Sequence, residues 1–147
     1  MMYQNKCNIQ KDNFSINNNN GLSILFKDNT DNIVLYHKTA LLLKGDVLNN
    51  SYFDKELFDL IITSPPYNVD IKYNSHKDNL TYEEYLTFSE NWLKNCFNWT
   101  KKEGRLCLNI PLDKNKGGQK SVGADLTIIA QKVGWKYHST IIWNEGN

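Results

Sequence analysis

The stretch FDLIITSPPYN, residues 58–68, decides the fold of this chain. Its first six residues, Phe58 to Thr63, are almost continuously apolar, which is typical of a strand in a parallel sheet that is covered on both faces. Two of the three prolines in the protein follow directly, and each proline biases the residue before it toward extended geometry. The pattern predicts a strand that ends abruptly in a stiff turn, with the aromatic ring of Tyr67 exposed beside it.

The residue types at this turn suit chemistry on the exocyclic amine of a nucleobase. Such an amine is a weak nucleophile because its lone pair is delocalised into the ring, so its nitrogen must move toward tetrahedral geometry before it attacks. Acceptors aimed at its N–H groups favour that change. The Ser64 side chain and the Pro65 carbonyl can supply two acceptors, and a proline nitrogen adds no competing donor. The ring of Tyr67 offers a flat face to a base taken out of a duplex, a contact worth roughly 1–3 kcal/mol.

The run Ser64-Pro65-Pro66-Tyr67 resembles the (D/N/S)PP(Y/F) catalytic motif of the amino-methyltransferases that make N4-methylcytosine or N6-methyladenine in DNA from S-adenosylmethionine. Together with residues 59–62, it resembles the permuted β-type arrangement, in which the catalytic half precedes the glycine-rich cofactor half. The resemblance covers roughly Leu41 to the C-terminus. It implies that Ser64 and Pro65 accept from the target amine, that Pro66 belongs to the same catalytic turn, and that Tyr67 stacks on a flipped base of double-stranded DNA.

The same resemblance implies a site for S-adenosylmethionine. Ligands in open α/β sheets bind at the carboxyl ends of strands, and Asp46 and Ser64 both follow predicted strands, so they can share one crevice. Asp46 resembles the acidic position that contacts the cofactor's adenine, although Gly45-Asp46 is also an ordinary turn. We expect Asp46, Ser64 and Asn68 to be the cofactor-binding residues.

The glycine-rich motif that cradles the methionine part of the cofactor in this enzyme type is absent. No F-x-G-x-G follows the catalytic turn, and the glycines at 117, 118 and 123 fall in a predicted loop and helix start. We therefore expect the chain to hold only the catalytic half of the domain. It is then a truncated product, a remnant, or one subunit of a split enzyme that a complementing chain with the glycine motif completes.

Strands and helices alternate from Leu41 onward, which predicts an α/β fold: a partial Rossmann-like methyltransferase domain with a mostly parallel sheet. Thr81 and Glu84 match a capping box at the start of a helix with an aromatic-rich apolar stripe. Lys101–Gly104 is predicted to end that helix, and Gly134 to end a second one that begins at Ser121. The four predicted strands are Leu41–Asp46, Phe58–Thr63, Arg105–Ile110 and Trp135–Trp143.

Residues 1–40 have a different character and are predicted to form an N-terminal arm, separate from the catalytic half at 41–147. The asparagine run 17–20 indicates a loop or disorder. Two apolar runs, 22–26 and 33–36, flank a polar segment and predict a hairpin. We assign no chemistry to this region.

Length and composition fit one globular domain. The chain has 147 residues, 40% of them hydrophobic, and a net charge of +1. No apolar run is long enough to cross a bilayer, so no membrane partner is expected. The odd number of widely spaced cysteines indicates a reducing cytoplasm, and the scattered histidines predict no metal site. The small net charge does not by itself indicate a nucleic-acid binder, but the basic stretches 72–77 and 114–120 could meet either phosphates or solvent.

Two classes of function stay open. One is an enzyme that methylates DNA, alone or with a complementing chain, and the other is a non-catalytic remnant that retains the fold. A lesser alternative is methylation of an RNA amine or of a protein amide, and serine at the first motif position makes the protein amide the less suitable target. The same serine favours the N4 amine of cytosine modestly over the N6 amine of adenine.

Overall fold

The structure is a computed structural model that describes the backbone of residues 14–17, 23–26, 33–37, 40–50, 52–53, 55–68, 79–111 and 120–144. Side chains are described from residue 42 onward within the same ranges. No helix in this part of the chain is long and apolar enough to span a membrane. The elements, in chain order, are β1 (Phe14–Asn17), β2 (Ser23–Phe26), β3 (Ile33–His37), β4 (Ala40–Leu43), β5 (Phe58–Thr63), α1 (Tyr82–Trp99), β6 (Thr100–Leu108) and α2 (Val122–Val133).

The N-terminal strands pair differently from the prediction. The two predicted strands exist as β2 and β3, but β2 pairs antiparallel with β1 and β3 pairs antiparallel with β4. The predicted hairpin between 22–26 and 33–36 is therefore wrong. Only residues 38 and 39 separate β3 from β4, and such a short connection favours antiparallel pairing of the strands it joins. Most of the asparagine run lies outside the described residues.

The predicted strand Leu41–Asp46 is also corrected. Its hydrogen-bonded part is β4, which ends at Leu43, and it pairs antiparallel with β3 instead of joining the parallel sheet. An apolar run of this length predicts a strand but contains no information about its partner. Turns follow at 47–48 and 55–56.

The parallel sheet is formed by β5 and β6, which α1 connects. The predicted bounds of β5, Phe58–Thr63, are confirmed. Its partners on β6 run in register from Leu60 with Arg105 to Thr63 with Leu108. Both helices contribute to the core on one face of the pair, where Ile61 packs. Leu60 and Ile62 are exposed, so the described residues cover only one of the two faces that the apolar run predicts to be buried.

The core lies between the two helices and this covered face. The capping box at the start of α1 is confirmed: the Glu84 N–H donates to the Thr81 hydroxyl, and the Thr81 N–H donates to the Glu84 carboxylate. The predicted apolar stripe of α1 is the centre of the core. The buried apolar residues of the core cluster are Tyr85, Trp92, Leu93, Cys96, Val122, Leu126 and Ile129.

The end of α1 differs from the prediction. The helix ends at Trp99 with Thr100 as an extended C-cap, and Lys101–Gly104 lies inside β6. The Thr100 hydroxyl donates to the Cys96 carbonyl at 2.7 Å, so a side chain completes the last turn without a glycine. Gly104 lies at the register shift of the parallel pair. A β-carbon there would lie 2.9 Å from the carbonyl oxygen of Phe58.

The second helix agrees with the prediction, but the segment after it does not. Gly134 ends α2 with a φ of +124°, a conformation that favours glycine. Residues 135–144 are described but belong to no strand, so the predicted strand Trp135–Trp143 is wrong. The side chains of Ile141 and Trp143 are 94% and 86% exposed. An extended apolar segment becomes a strand only where a neighbour accepts its backbone hydrogen bonds, and no described strand does so.

Candidate active site

The motif turn lies at the carboxyl edge of the parallel pair. Residues 64–67 follow β5 directly, and residue 109 follows β6 at the same edge because the two strands run parallel. The Asn109 N–H donates to the Thr63 carbonyl at 2.9 Å. The turn is therefore held against the end of the neighbouring strand, at the edge where α/β sheets bind their ligands.

Two side chains of the motif contact each other. The Ser64 Oγ and the Tyr67 hydroxyl oxygen lie 2.5 Å apart. The Tyr67 hydroxyl also donates to the Asn109 carbonyl oxygen at 3.2 Å. Ser64 is exposed, whereas Tyr67 is half-buried. The hydroxyl at the first motif position is thus accessible to a substrate and attached to the body of the sheet.

Asn68 has a structural contact. It is 4% exposed and has a φ of +56°, a left-handed conformation that asparagine adopts more readily than most residues. Its side-chain amide donates to the Leu80 carbonyl at 2.9 Å, immediately before the cap of α1. This bond fixes where the chain leaves the motif turn. The cofactor contact expected of Asn68 stays a prediction.

Asp46 lies in an exposed loop that α1 holds in place. Its carboxylate oxygen Oδ1 accepts from the Leu48 N–H at 2.9 Å. The side-chain amide of Asn95, which is 8% exposed, donates to the carbonyls of Val47 and Leu48. Asp46 therefore lies in a loop anchored on the helix, and it does not follow a strand of the parallel pair.

An apolar groove of about 520 Å³ lies beside the motif turn, and neither Asp46 nor Asn68 is among the residues that line it. Its volume is within the range of small-ligand pockets. Val47, which follows Asp46, and the turn residues Ser64, Pro65 and Pro66 line it together. Its remaining walls are side chains of β5, α1 and the segment before β5: Phe53, Phe58, Leu60, Ile61, Ile62, Thr63, Phe88, Trp92, Cys96 and Trp99.

The residues present fit one side of an S-adenosylmethionine site. The apolar groove suits an adenine ring or a thioether, and the neighbouring Asp46 carboxylate suits a ribose hydroxyl or a positive charge. The Nε1 atom of Trp92, which lines the groove, has no hydrogen-bond partner among the described residues. Both Asp46 and Ser64 are exposed. A ligand held by them alone would therefore keep much of its surface in water.

Other chemically active side chains contribute little to this site. The described residues contain no group of three or more histidine, cysteine, aspartate or glutamate residues that could hold a metal ion. Burial raises the pKa of the Cys96 thiol to about 11, so this groove residue is a thiol at neutral pH. The basic stretch 72–77 and most of 114–120 lie outside the described residues. Lys120 is described, and its ammonium lies 5.3 Å from the centre of the Tyr82 ring.

Sequence reasoning missed two features of the site. One is the Asn109 carbonyl. The other is the hydroxyl of Tyr67, because the sequence predicts a role only for the ring of that residue. Ser64 was located by the rule that ligands bind at the carboxyl ends of strands. The same rule could have found Asn109, because Asn109 follows the other strand of the parallel pair at the same edge. The groove walls on α1 were predicted only as core.

Comparisons with known proteins identify the family and several relatives. The Type II methyltransferase M.MjaVI of Methanocaldococcus jannaschii is 58% identical over 106 residues, which are 72% of this chain and 54% of that protein. M.HpaI of Haemophilus parainfluenzae is 33% identical over 90 residues, 61% of this chain and 26% of that protein. M.ScaI of Streptomyces caespitosus is 29% identical over 118 residues, 80% of this chain and 35% of that protein.

The chain thus spans about half the length of the first of these relatives and a smaller share of the other two. No solved structure gives a significant match. A family model described as DNA methylase, of the N6 and N4 methyltransferase type, matches residues 58–147. That match covers more than half of the chain and includes β5, the motif turn, both helices and β6. The chain therefore belongs to the N6 and N4 DNA methylase family.

Proposed function

We propose that this chain carries the catalytic part of a DNA amino-methyltransferase, which transfers a methyl group from S-adenosylmethionine to the exocyclic amine of cytosine (N4) or adenine (N6). The observation that carries the proposal is the motif turn at the carboxyl edge of the parallel pair. There the Ser64 hydroxyl is exposed and the Tyr67 side chain lies beside it. Family membership supports DNA as the substrate, and the relatives' names support methyl transfer as the reaction class.

The residues of the turn prepare the amine for attack. When bound, S-adenosylmethionine supplies a methyl group whose bond to sulfur breaks as its bond to the amine nitrogen forms, and the nitrogen then loses a proton to a base or to water. The Ser64 hydroxyl and the Pro65 carbonyl accept from the two amine N–H groups and stabilise the developing charge. Pro66 stiffens the turn, and the Tyr67 ring stacks on the flipped base.

The cofactor binds, in this proposal, between the Asp46 loop and the motif turn. Asp46 would contact the adenosine part of the cofactor, and Ser64 and Asn68 would contact the rest of it. The apolar groove, which Val47 and Ser64 both line, supports this placement. The arrangement fits residues 41–147 as the catalytic half of a Rossmann-like domain, with residues 1–40 as an N-terminal arm. The β5–α1–β6–α2 order supports that reading.

The proposed partners are double-stranded DNA with a flipped base and a complementing polypeptide that carries the glycine-rich half. Among the described strands, only β6 pairs with β5, so the other edge of β5 is available to a further strand. A complementing strand there would extend the sheet and cover exposed apolar side chains. The greater length of the relatives supports such a second half. A DNA substrate implies the cytoplasm as the location.

Methyl transfer to DNA is the direct test. The purified chain is incubated with radiolabelled S-adenosylmethionine and DNA, alone and with the part of M.MjaVI outside its 106 matched residues. We expect methylation in the mixture, and mass spectrometry of the nucleosides identifies N4-methylcytosine or N6-methyladenine. The serine in the motif favours the cytosine product. Ser64→Ala should lower the rate of methylation, and Ser139→Ala, in the exposed segment after α2, is the matched control. Absence of both products in every combination would support a non-catalytic remnant.

A further inference from the structure

The hydroxyl of Tyr67 lies between two oxygen atoms. The Ser64 Oγ is 2.5 Å away, at a distance where either hydroxyl could donate. The Asn109 carbonyl oxygen is 3.2 Å away and can only accept. The ring contact expected of Tyr67 would not need either bond, because a phenylalanine ring has the same flat face. The hydroxyl therefore has a separate role.

The number of protons determines the direction of these bonds. A phenol has one proton to donate, and its contact with the Asn109 carbonyl uses that proton. The contact between the two hydroxyls then requires Ser64 to donate to the Tyr67 oxygen. The result is a one-way chain from the Ser64 O–H to the Tyr67 O–H to the Asn109 carbonyl. Both contacts are satisfied only in this direction.

This direction leaves the lone pairs of the Ser64 hydroxyl free. A serine hydroxyl has one proton and two acceptor lone pairs, and the proton rotates to suit its surroundings. When the Ser64 O–H donates to the Tyr67 oxygen, the Ser64 hydroxyl can only accept hydrogen bonds from its other neighbours. The amine of a nucleobase presents N–H groups, so an acceptor fixed in advance is what the methyl transfer needs.

The end of the chain is rigidly placed. The carbonyl of Asn109 belongs to the residue directly after β6, and its N–H donates to the Thr63 carbonyl at 2.9 Å. Thr63 itself immediately precedes Ser64 and pairs with Leu108 in the sheet. The acceptor for Tyr67 is therefore attached to the same pair of strands that carries the motif turn, and the three groups keep one geometry.

We propose that the Tyr67 hydroxyl is a positioning group whose oxygen accepts the hydrogen bond from the Ser64 O–H. Ser64 then acts only as a hydrogen-bond acceptor toward the substrate amine. Tyr67 then has two roles: its ring binds the base, and its hydroxyl orients the serine. The inference about the substrate rests on the proposed function, whereas the orientation of Ser64 does not. Replacing the tyrosine by phenylalanine separates the two roles.

The first test needs no activity. In the purified full chain, the three-bond couplings between Hα and Hβ of Ser64, measured by NMR, report whether its side chain occupies one rotamer. We expect the couplings of a single rotamer in the wild type and averaged couplings in Tyr67→Phe. Tyr137→Phe is the matched control, because it removes a similar exposed contact, with Thr140 at 2.8 Å. Unchanged Ser64 couplings in Tyr67→Phe would show that the Tyr67 hydroxyl does not hold the Ser64 rotamer, and this outcome overturns the proposal.

The second test separates binding from rate in the complemented enzyme. Tyr67→Phe should lower the single-turnover rate of methyl transfer by roughly 3- to 10-fold, the effect of one hydrogen bond, and leave the KM for DNA within about 2-fold. Tyr137→Phe should change neither. A wild-type rate in Tyr67→Phe overturns the role in catalysis. If the wild type itself transfers no methyl group, the proposed function fails, and the couplings still decide whether Tyr67 holds the rotamer of Ser64.

Discussion

At the scale of single residues, the motif turn combines one exposed acceptor with one anchored ring. Ser64 is exposed and contacts Tyr67, and Tyr67 is held by the Asn109 carbonyl. Asn68, the next residue, is buried and bonded to the Leu80 carbonyl. The turn is therefore fixed on both sides of the exposed hydroxyl, as preorganised electrostatic stabilisation requires.

The ring of Tyr67 should matter more for base binding than its hydroxyl does. Tyr67→Ala removes a stacking face worth roughly 1–3 kcal/mol, whereas Tyr67→Phe keeps it. We expect Tyr67→Ala to weaken the binding of DNA that carries a mismatched target base far more than Tyr67→Phe does. Fluorescence titration of the complemented enzyme with DNA containing 2-aminopurine at the target measures this. Equal losses in both variants would contradict the stacking role.

Ser64→Ala should affect the reaction and not folding. The side chain is exposed, and its contact with Tyr67 is a single hydrogen bond, so the free energy of unfolding should fall by no more than about 1 kcal/mol. Loss of one preorganised contact to the reacting group should lower the rate on the order of 10²–10³. Denaturant unfolding and single-turnover methyl transfer measure the two quantities. Near-normal transfer would show that Ser64 is not the acceptor.

At the scale of elements, local signals locate the helices, and contacts between strands locate the sheet. The two helices differ at their starts. Thr81 caps α1 with a side-chain hydrogen bond, whereas the Ser121 side chain makes no capping hydrogen bond to α2. They contact each other through a bond from the Tyr82 hydroxyl to the Asp125 carboxylate at 2.6 Å. Burial, and then this bond and the charge of Asp125, raise the pKa of Tyr82, so Tyr82 keeps its proton throughout the physiological range.

The capping difference predicts unequal effects of two similar substitutions. Thr81→Ala should lower the free energy of unfolding by about 0.5–2 kcal/mol, because it removes the acceptor of the Glu84 N–H. Ser121→Ala is the comparison variant, because the Ser121 side chain makes no capping hydrogen bond to α2, so this substitution should not lose the capping contribution. Denaturant unfolding of both variants measures this. Equal losses would mean that the capping box does not stabilise α1.

The same cap should depend on pH. The Thr81 backbone N–H, and then its hydroxyl, lower the pKa of Glu84. A lowered pKa contributes stability above the pKa of the unfolded chain, and that stability is lost as the pH falls through the folded pKa. The destabilisation by Thr81→Ala should therefore be larger at neutral pH than in acid below the pKa of Glu84. Thr81→Ala keeps the backbone N–H, so a difference that is independent of pH would contradict the contribution of the bond from the Thr81 hydroxyl to the Glu84 carboxylate.

Close approach at Gly104 predicts another contrast within an element. A β-carbon there would lie 2.9 Å and 3.0 Å from the carbonyl oxygens of Phe58 and Asp59, which are backbone atoms and cannot easily move. Gly104→Ala should therefore destabilise the chain by about 1–3 kcal/mol, as overpacking does. In Gly45→Ala the atoms nearest to the new carbon belong to the Tyr52 side chain, at 2.8–2.9 Å, and a side chain can move aside. Thermal unfolding compares the two, and equal effects would contradict the explanation.

At the scale of the whole molecule, the described residues form one layer of helices on one face of a short parallel sheet. Leu60 and Ile62 on the other face are exposed, as are Ile141 and Trp143 after α2. Exposed apolar side chains of this size and number are typical of surfaces that contact other polypeptide segments. This feature agrees with the proposal that a second half completes the domain.

The open groove predicts weak cofactor binding by the 147-residue chain alone. Ligand sites normally bury most of the ligand surface, whereas Asp46 and Ser64 are both exposed. We expect S-adenosylmethionine to bind the chain with a Kd weaker than about 1 mM, less than roughly 4 kcal/mol of binding free energy. Calorimetry measures this, and addition of the complementing part of M.MjaVI should tighten binding. Micromolar binding without a partner would mean that the cofactor site is elsewhere or that copies of the chain complete it.

The sequence by itself determined the parts of this protein that depend on neighbours along the chain. The apolar run of β5, the turn at 64–67 and the cap of α1 at Thr81 are all local patterns, and the structure has the strand and the cap where they predict them. The end of α2 is another local pattern, because a residue with positive φ commonly ends a helix and glycine adopts positive φ most readily, as Gly134 does. The resemblance that indicated the family is carried by the same stretch.

Only the tertiary structure decided which strands pair and which atoms of the site meet. A strand needs a neighbour for its backbone hydrogen bonds, and a run of apolar residues does not encode that neighbour. Its availability explains the early start of β6, the antiparallel pairing of β4, and the segment 135–144, which pairs with no described strand. The contact between Tyr67 and Asn109 joins residues 42 positions apart. Such a contact exists because parallel strands bring their carboxyl ends to the same edge, and it becomes visible only when the crossover through α1 is in place.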